Sequence, residues 1–350
     1  MVIIVRAGTS PGVGAQLIER VRSLGFTPHP IYGVEKTVIA VIGDKTQEKI
    51  EAIETLPGVE RVVPILQPYK LAGREVKPEP TVIRVNGVAI GGPRIVVMAG
   101  PCAVESREQY LTTARFVTRH GAQVVRGSVY KPRTSPHDFQ GLREQGLDIL
   151  REAKAELNVP LISEVLDPRH VESMAEVVDI LQIGARNMSN YPLLQEVGQA
   201  RRPVMLKRGI SSTVDDLLKA AEYILVGGNQ NVMLCERGIR TFETATRFTL
   251  DLAAVPVLRR MSHLPIIVDP SHAAGHSDIV PALAKAAIAA GADGLLIETH
   301  PHPEEALVAG PQALPFADFE QLMTEIRAFA QAAGREPPVI NDECRMQSAE

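Results

Sequence analysis

From residue 95 onward, short and continuously apolar segments recur along the chain, at 95–99, 123–126, 160–163, 180–183, 203–206, 232–235, 265–268 and 294–297. Apolarity without alternation predicts strands covered on both faces, as in a parallel sheet. Helix-compatible stretches lie between most of them. One is 106–119, where Ser106 and Gln109 have the spacing of a capping pair. Eight such β/α units over about 230 residues predict a (β/α)8 TIM barrel. An open doubly wound sheet is the structural alternative.

The first 66 residues have a different rhythm, strand, helix, strand, strand, helix, strand, with strands at 2–7, 27–32, 37–43 and 60–66. Ser10 is placed to cap the first helix, with Pro11 at its first position, where a missing N–H costs nothing. The second helix starts near Thr46, carries Glu48, Glu51 and Glu54 on its polar face, and stops before Pro57-Gly58. A βαββαβ order in so short a span predicts a small ferredoxin-like α+β domain. Gly8, Gly12 and Gly14 lack the register of a dinucleotide loop and read as turn and helix-entry glycines. Residues 67–94 form a connector, in which Asn86-Gly87 between two apolar runs predicts a β-hairpin. The barrel is expected to span 95–335 and a flexible tail 336–350.

Composition narrows the function. The 350 residues are 45% hydrophobic and 22% charged, with a net charge of −4. No basic excess points to nucleic acid. The apolar start is too short for a signal peptide, and charge interrupts every longer apolar run, so no membrane span is expected. Three scattered cysteines form neither a disulfide framework nor a CxxC pair, and a cytoplasmic setting is the default. Cys235 reads as core and Cys344 as an incidental thiol.

The residues at the end of each apolar segment carry the chemistry. Cys102 comes after the first; Arg126 and the run Lys131-Pro132-Arg133-Thr134-Ser135 after the second; Glu164 after the third; Ala185-Arg186 after the fourth. Lys207-Arg208 ends the fifth, Glu236-Arg237 the sixth, Asp269-Pro270-Ser271-His272 the seventh and Glu298 the eighth. In a barrel these all meet at the C-terminal mouth. Seven cations there (Arg126, Lys131, Arg133, Arg186, Lys207, Arg208 and Arg237) suit phosphate and carboxylate ligands, Arg208 being the one placed to point away; taken singly, any one of them reads also as the partner of a surface carboxylate, a reading that does not extend to all seven. Closure of the barrel also brings Cys102, His272 and Glu298 together. Thiolate, imidazole and carboxylate around one point suit a single divalent metal ion, Zn²⁺, Mn²⁺, Fe²⁺ or Co²⁺. Taken singly, Cys102 reads as a small buried hydrophobe and His272 as a turn residue.

The segments Gly100-Pro101-Cys102-Ala103-Val104-Glu105-Ser106, Lys131 to Pro136, Cys235-Glu236-Arg237-Gly238 and Asp269-Pro270-Ser271-His272 resemble the 3-deoxy-D-arabino-heptulosonate 7-phosphate (DAHP) synthases, most closely the short microbial form with a ferredoxin-like domain. The resemblance runs to about residue 333. It implies condensation of phosphoenolpyruvate with erythrose 4-phosphate, the first step of the shikimate route to aromatic amino acids. Carried over position by position, it implies that Arg126, Lys131, Arg186, Lys207 and Arg237 hold phosphoenolpyruvate. Pro132, Arg133, Thr134 and Ser135 would meet the erythrose phosphate, with Glu164 and Ala185 alongside. Cys102, His272 and Glu298 fall on metal-ligand positions, and Lys131, Cys102 and His272 on the catalytic centre. The fourth ligand, an Asp in the family, falls on Ala309 here, and alanine cannot coordinate; water, His302 or His276 are the alternatives. His29 lies near a position implicated in feedback inhibition by an aromatic amino acid, while Ile31 departs from the family's small hydroxyl residue; packing is an equal reading of His29. A homo-oligomer, a tetramer by analogy, is implied. A sister synthase using arabinose 5-phosphate resembles the barrel, but its second-strand motif is Lys-Ala-Asn-Arg-Ser-Ser. A third reading, motivated by Ala309, is a non-catalytic anion-binding or regulatory homologue.

Overall fold

The computed structural model describes residues 1–33, 37–43, 46–63, 68–133 and 135–339. The chain divides into two compact units: residues 1–80 with 260–263, and residues 81–259 with those from 264 onward. The first contains β1 (Val2–Val5), α1 (Pro11–Ser23), β2 (Thr27–Tyr32), β3 (Thr37–Ile42), α2 (Gln47–Glu54) and β4 (Val59–Val63). The last three residues of the strand expected at 60–66 lie outside the described residues.

The antiparallel sheet has the order β2-β3-β1-β4, a ferredoxin-like arrangement. Ser10 caps α1, its hydroxyl accepting from the Val13 N–H, and Thr46 does the same for α2 through the Lys49 N–H. Leu17 and Val21, one turn apart on α1, pack with Ile3, Phe26, Ile39 and Ile53 into one core. β2 takes the sheet edge, where its Pro28 and Pro30 remove donors that no neighbour needs. His29 lies on this strand opposite Ala40, half-buried.

The second unit opens with the hairpin β5 (Ile83–Val85) and β6 (Val88–Ile90). Asn86 and Gly87 both adopt positive φ, 45° and 85°, as a two-residue type I′ turn requires. Its parallel strands β7 (Val96–Gly100), β8 (Val124–Arg126), β9 (Leu161–Glu164), β10 (Ile180–Ile183), β11 (Val204–Lys207), β12 (Val232–Glu236), β13 (Ile266–Val268) and β14 (Gly294–Glu298) close into a barrel. Between and after them run α3 (Arg107–Arg119), α4 (Glu144–Leu157), α5 (Val171–Val177), α6 (Tyr191–Gln199), α7 (Val214–Val226), α8 (Ala254–Met261), α9 (Pro270–Ala274), α10 (Val280–Ala289) and α11 (Phe316–Ala332). Barrel closure rules out the open doubly wound sheet.

Most strands end one residue later than the apolar runs. Lys207 still pairs with Cys235 in the ladder, and Glu298 with Gly100. The chemistry-bearing residues at several strand ends are thus part of the sheet rather than of loops. The capping pair on α3 also differs from expectation. Ser106 accepts from the Gln109 N–H at 3.1 Å, but the Gln109 carboxamide takes the Glu105 N–H rather than that of Ser106.

The hairpin residues Ile83, Val85 and Ile90 join Val96, Met98, Val124, Ile162, Met205, Met233, Ile267 and Leu296 in the barrel's interior cluster. Several of these are strand-start residues, so the hairpin plugs the end opposite the mouth. Ile90→Ala is expected to cost about 2–4 kcal/mol, read as a lower urea midpoint at unchanged m-value. An unchanged midpoint would place the hairpin outside the cooperative core.

Candidate active site

Three donor atoms, Cys102 Sγ, a His272 ring nitrogen and a Glu298 carboxylate oxygen, lie within 4.8 Å of one another at the barrel mouth. Each has a local reason to be there. Cys102 lies two residues past Gly100, whose φ of 148° and close approach to the Arg126 carbonyl leave no room for a Cβ. His272 sits in the short helix α9, where Pro270 occupies the first turn and Asp269 caps it by accepting the His272 N–H at 2.9 Å. Glu298 ends β14, its own N–H donating to Ser271 Oγ at 3.0 Å.

A second ring of partners orients the cluster. Asp269 Oδ2 lies 2.7 Å from His272 Nδ1 and also pairs with Lys207. His272 Nε2 is 3.3 Å from Glu298 Oε1. Arg126 pairs with the same Glu298 oxygen, and Gln312 donates its amide to the other. Burial pushes His272 down to about 4, so the imidazole is neutral and available as a ligand. Burial alone would raise the Asp269 and Glu298 carboxyls; contact with His272 together with the charge of Lys207 at Asp269, and with that of Arg126 at Glu298, holds both below the usual carboxylate range. Burial raises the Cys102 thiol, an effect opposed by Lys131 and Arg126. A soft sulfur, a neutral imidazole and an ionised carboxylate, each braced from behind, fit a first-row divalent ion.

Ala309 lies on the wall of the same cavity as Cys102 and His272. Its φ of 61° and ψ of 28° are left-handed, a conformation that costs a residue with a Cβ about 1 kcal/mol and suits Gly, Asn or Asp better. The loop before it is held by Glu105, whose carboxylate accepts the Leu307 and Val308 N–H groups at 2.9 and 3.1 Å. Neither alternative histidine joins the cluster among the described residues; His302 is 64% exposed beside Glu304.

The cavity above this cluster measures about 310 Å³. Lys131, Pro132 and Arg133 from the loop after β8 line it, as do Glu164, Ala185, Arg186, Lys207 and Arg237. Gly184 makes room for Glu164, since a Cβ there would overlap the carboxylate. The seven expected cations divide into two sets. Arg126, Arg133 and Lys207 pair with Glu298, Asp138 and Asp269, and Arg208 points away to Glu236 and Asp251. Lys131, Arg186 and Arg237 have no carboxylate partner among the described residues. Lys131 Nζ instead donates to Cys102 Sγ at 3.1 Å and to its carbonyl at 3.2 Å, and Arg186 to the Pro132 carbonyl at 3.3 Å.

Two expected substrate contacts among the described residues stand off the wall. Arg126 is 2% exposed and underlies the floor, and Ser135 turns its hydroxyl to the His137 N–H at 3.2 Å. Thr134 lies outside the described residues. Sequence reasoning passed over Gln182, Arg247 and Phe248, which also line the cavity. A polar residue inside the apolar β10 run was the signal for Gln182; Arg247 and Phe248 sit in a long loop with no such signal.

Ala309→Asp is expected to place a carboxylate beside the cluster and to slow metal stripping by a chelator, measured as bound metal per chain; unchanged stripping would refute this. A second expectation concerns acid. Below pH 6.5 the unfolded chain protonates His272 while the native chain resists until about pH 4, so this residue's share of stability is present above pH 6.5 and lost as pH falls toward 4. In metal-free buffer, His272→Gln should flatten the fall in denaturation midpoint across that window.

Residues 76–332 match the DAHP synthetase I family, and residues 1–67 the DAHP synthase ferredoxin-like domain. The chain is 46% identical over 334 residues to a phospho-2-dehydro-3-deoxyheptonate aldolase of Thermotoga maritima, covering 95% of this chain and 99% of that protein. A 2-dehydro-3-deoxyphosphooctonate aldolase of Desulfosudis oleivorans is 33% identical over 270 residues, covering 72% of this chain and 96% of that protein. Among solved structures, the crystal structure of the Thermotoga maritima DAHP synthase superposes with a TM-score of 0.76 at 46% identity, covering 96% of this chain and 98% of that one. With a barrel, a ferredoxin-like domain and near full-length relatedness all in agreement, the chain belongs to the DAHP synthetase I family.

Proposed function

We propose that this chain condenses phosphoenolpyruvate with D-erythrose 4-phosphate and water, giving 3-deoxy-D-arabino-heptulosonate 7-phosphate and phosphate. The observation that carries the reading is one cavity in which Lys131, Arg186 and Arg237, cations without carboxylate partners among the described residues, face the Cys102, His272 and Glu298 cluster. Two multiply charged anions must meet there, and uncompensated cations offset their repulsion and fix their approach. The higher identity to the heptonate enzyme than to the octonate enzyme, 46% against 33%, supports the four-carbon aldehyde.

In this reading Lys131, Arg186, Lys207 and Arg237 hold phosphoenolpyruvate, with Arg126 beneath them, while Pro132, Arg133, Thr134 and Ser135 receive the erythrose phosphate. Glu164 and Ala185 form the wall between. A divalent ion held by Cys102, His272 and Glu298 supplies Lewis acidity at the aldehyde when bound. C3 of the enol attacks the aldehyde carbon, water adds at C2 and phosphate departs. Lys131, fixed beside Cys102, is placed to give a proton to the aldehyde oxygen as that carbon is attacked. The reading extends to regulation and assembly: an aromatic amino acid acting through residues 1–66, with His29 as its contact or as a packing residue of β2, in a cytoplasmic homo-oligomer.

Phosphate release measured with each aldehyde, with and without chelator, tests the reaction. Turnover with erythrose 4-phosphate that chelator abolishes is the expected result. Preference for arabinose 5-phosphate would favour the octonate reaction, and no release with either a non-catalytic role. Lys131→Arg should keep phosphoenolpyruvate affinity and lose turnover, on the order of 10²-fold or more. Deleting residues 1–66 should abolish any inhibition by tyrosine or phenylalanine.

A further inference from the structure

The loop after β12 returns to the mouth as a narrow turn whose base is the bridge between Ile239 and Thr249. Its last residues are fastened to α9, the helix that bears His272: the Arg247 N–H donates to the Ala274 carbonyl at 3.0 Å and the Phe248 N–H to that of Ala273 at 2.9 Å. Both side chains line the cavity. The Phe248 ring carries the Arg237 guanidinium 4.5 Å from its centre and that of Arg247 at 5.6 Å. Two like charges therefore share one ring, and neither has a carboxylate partner among the described residues. Burial lowers the Arg237 guanidinium; the charge of Asp269 opposes this and that of Arg247 adds to it. The Arg247 side chain donates to a neutral partner, from Nη1 to Gln312 Oε1 at 2.8 Å. Gln312 in turn donates to Glu298, so Arg247 is aimed from the same carboxylate that completes the Cys102 cluster.

We propose that Arg247 is a further substrate-binding residue, a rim contact that grips the phosphate of phosphoenolpyruvate together with Arg237. The inference rests on the condensation reading above. A phosphate bridging two guanidinium groups relieves their repulsion and satisfies donors that Gln312 does not take. Position in the ring selects the substrate. β12 lies four strands from β8 in the closed order, on the opposite side of the mouth from the Arg133 loop that receives the aldehyde phosphate.

Arg247→Gln and Arg247→Lys test this, with thermal melting as the check on folding. The Gln variant should raise the KM for phosphoenolpyruvate about tenfold while the KM for erythrose 4-phosphate stays within about twofold, and the Lys variant should recover part of the loss. Calorimetric titration with phosphoenolpyruvate alone should show the same fall in affinity. Unchanged phosphoenolpyruvate affinity, or an equal rise in both KM values, would overturn the assignment. Wild-type protein that binds phosphoenolpyruvate in an Arg247-dependent way yet condenses it with no aldehyde would sink the proposed reaction and leave this contact standing. Wild-type protein that fails to bind it would sink the contact as well.

Discussion

Glu298 is fully buried, and the barrel mouth is organised around its charge. One oxygen faces Arg126 from β8 and His272 from α9, the other accepts from Gln312 in the turn after residue 309, and its own N–H is taken by Ser271. Segments remote in sequence are thus referred to a single carboxylate. A charge so enclosed is tolerable only when paired and fully hydrogen-bonded, and stripping one partner from such a pair costs about 3–5 kcal/mol. The same geometry that makes the pair costly to break keeps the cluster around Cys102 in register.

The cations of the mouth obey that constraint. Arg126 on β8 and Lys207 on β11 are balanced directly by the buried Glu298 and Asp269, and Arg133, nearer solvent, by Asp138. Lys131 and Arg186 donate instead to carbonyls or sulfur, and Arg237 lies over a ring face, partners that orient a positive charge without cancelling it. The Phe248 ring adds an aromatic support where two arginines crowd together.

Much of this was legible in the sequence. Strands covered on both faces are written as unbroken apolar runs, and barrel closure alone brings Cys102, His272 and Glu298 together from opposite ends of the chain. The outward turn of Arg208 comes from strand alternation after Lys207. Strand ends were harder, since a reading by apolarity stops before Lys207 or Glu298 although the ladder continues through them. Which of the cations pair with carboxylates, as Arg126, Arg133 and Lys207 do, was not legible, because it depends on which rotamers meet across the barrel. Gln312, Arg247 and Glu105 were invisible for the same reason: their roles come from loops packing on loops, which no local periodicity records.

Glu105 has a wider consequence. By binding two consecutive backbone amides just ahead of residue 309, it fixes the path of that loop through main-chain atoms. The path of that loop beside Cys102 therefore rests in part on main-chain contacts that do not involve the side chain of residue 309. A side chain exchanged there acts on the chemistry of the centre directly, while the two amide contacts continue to hold the approach to it.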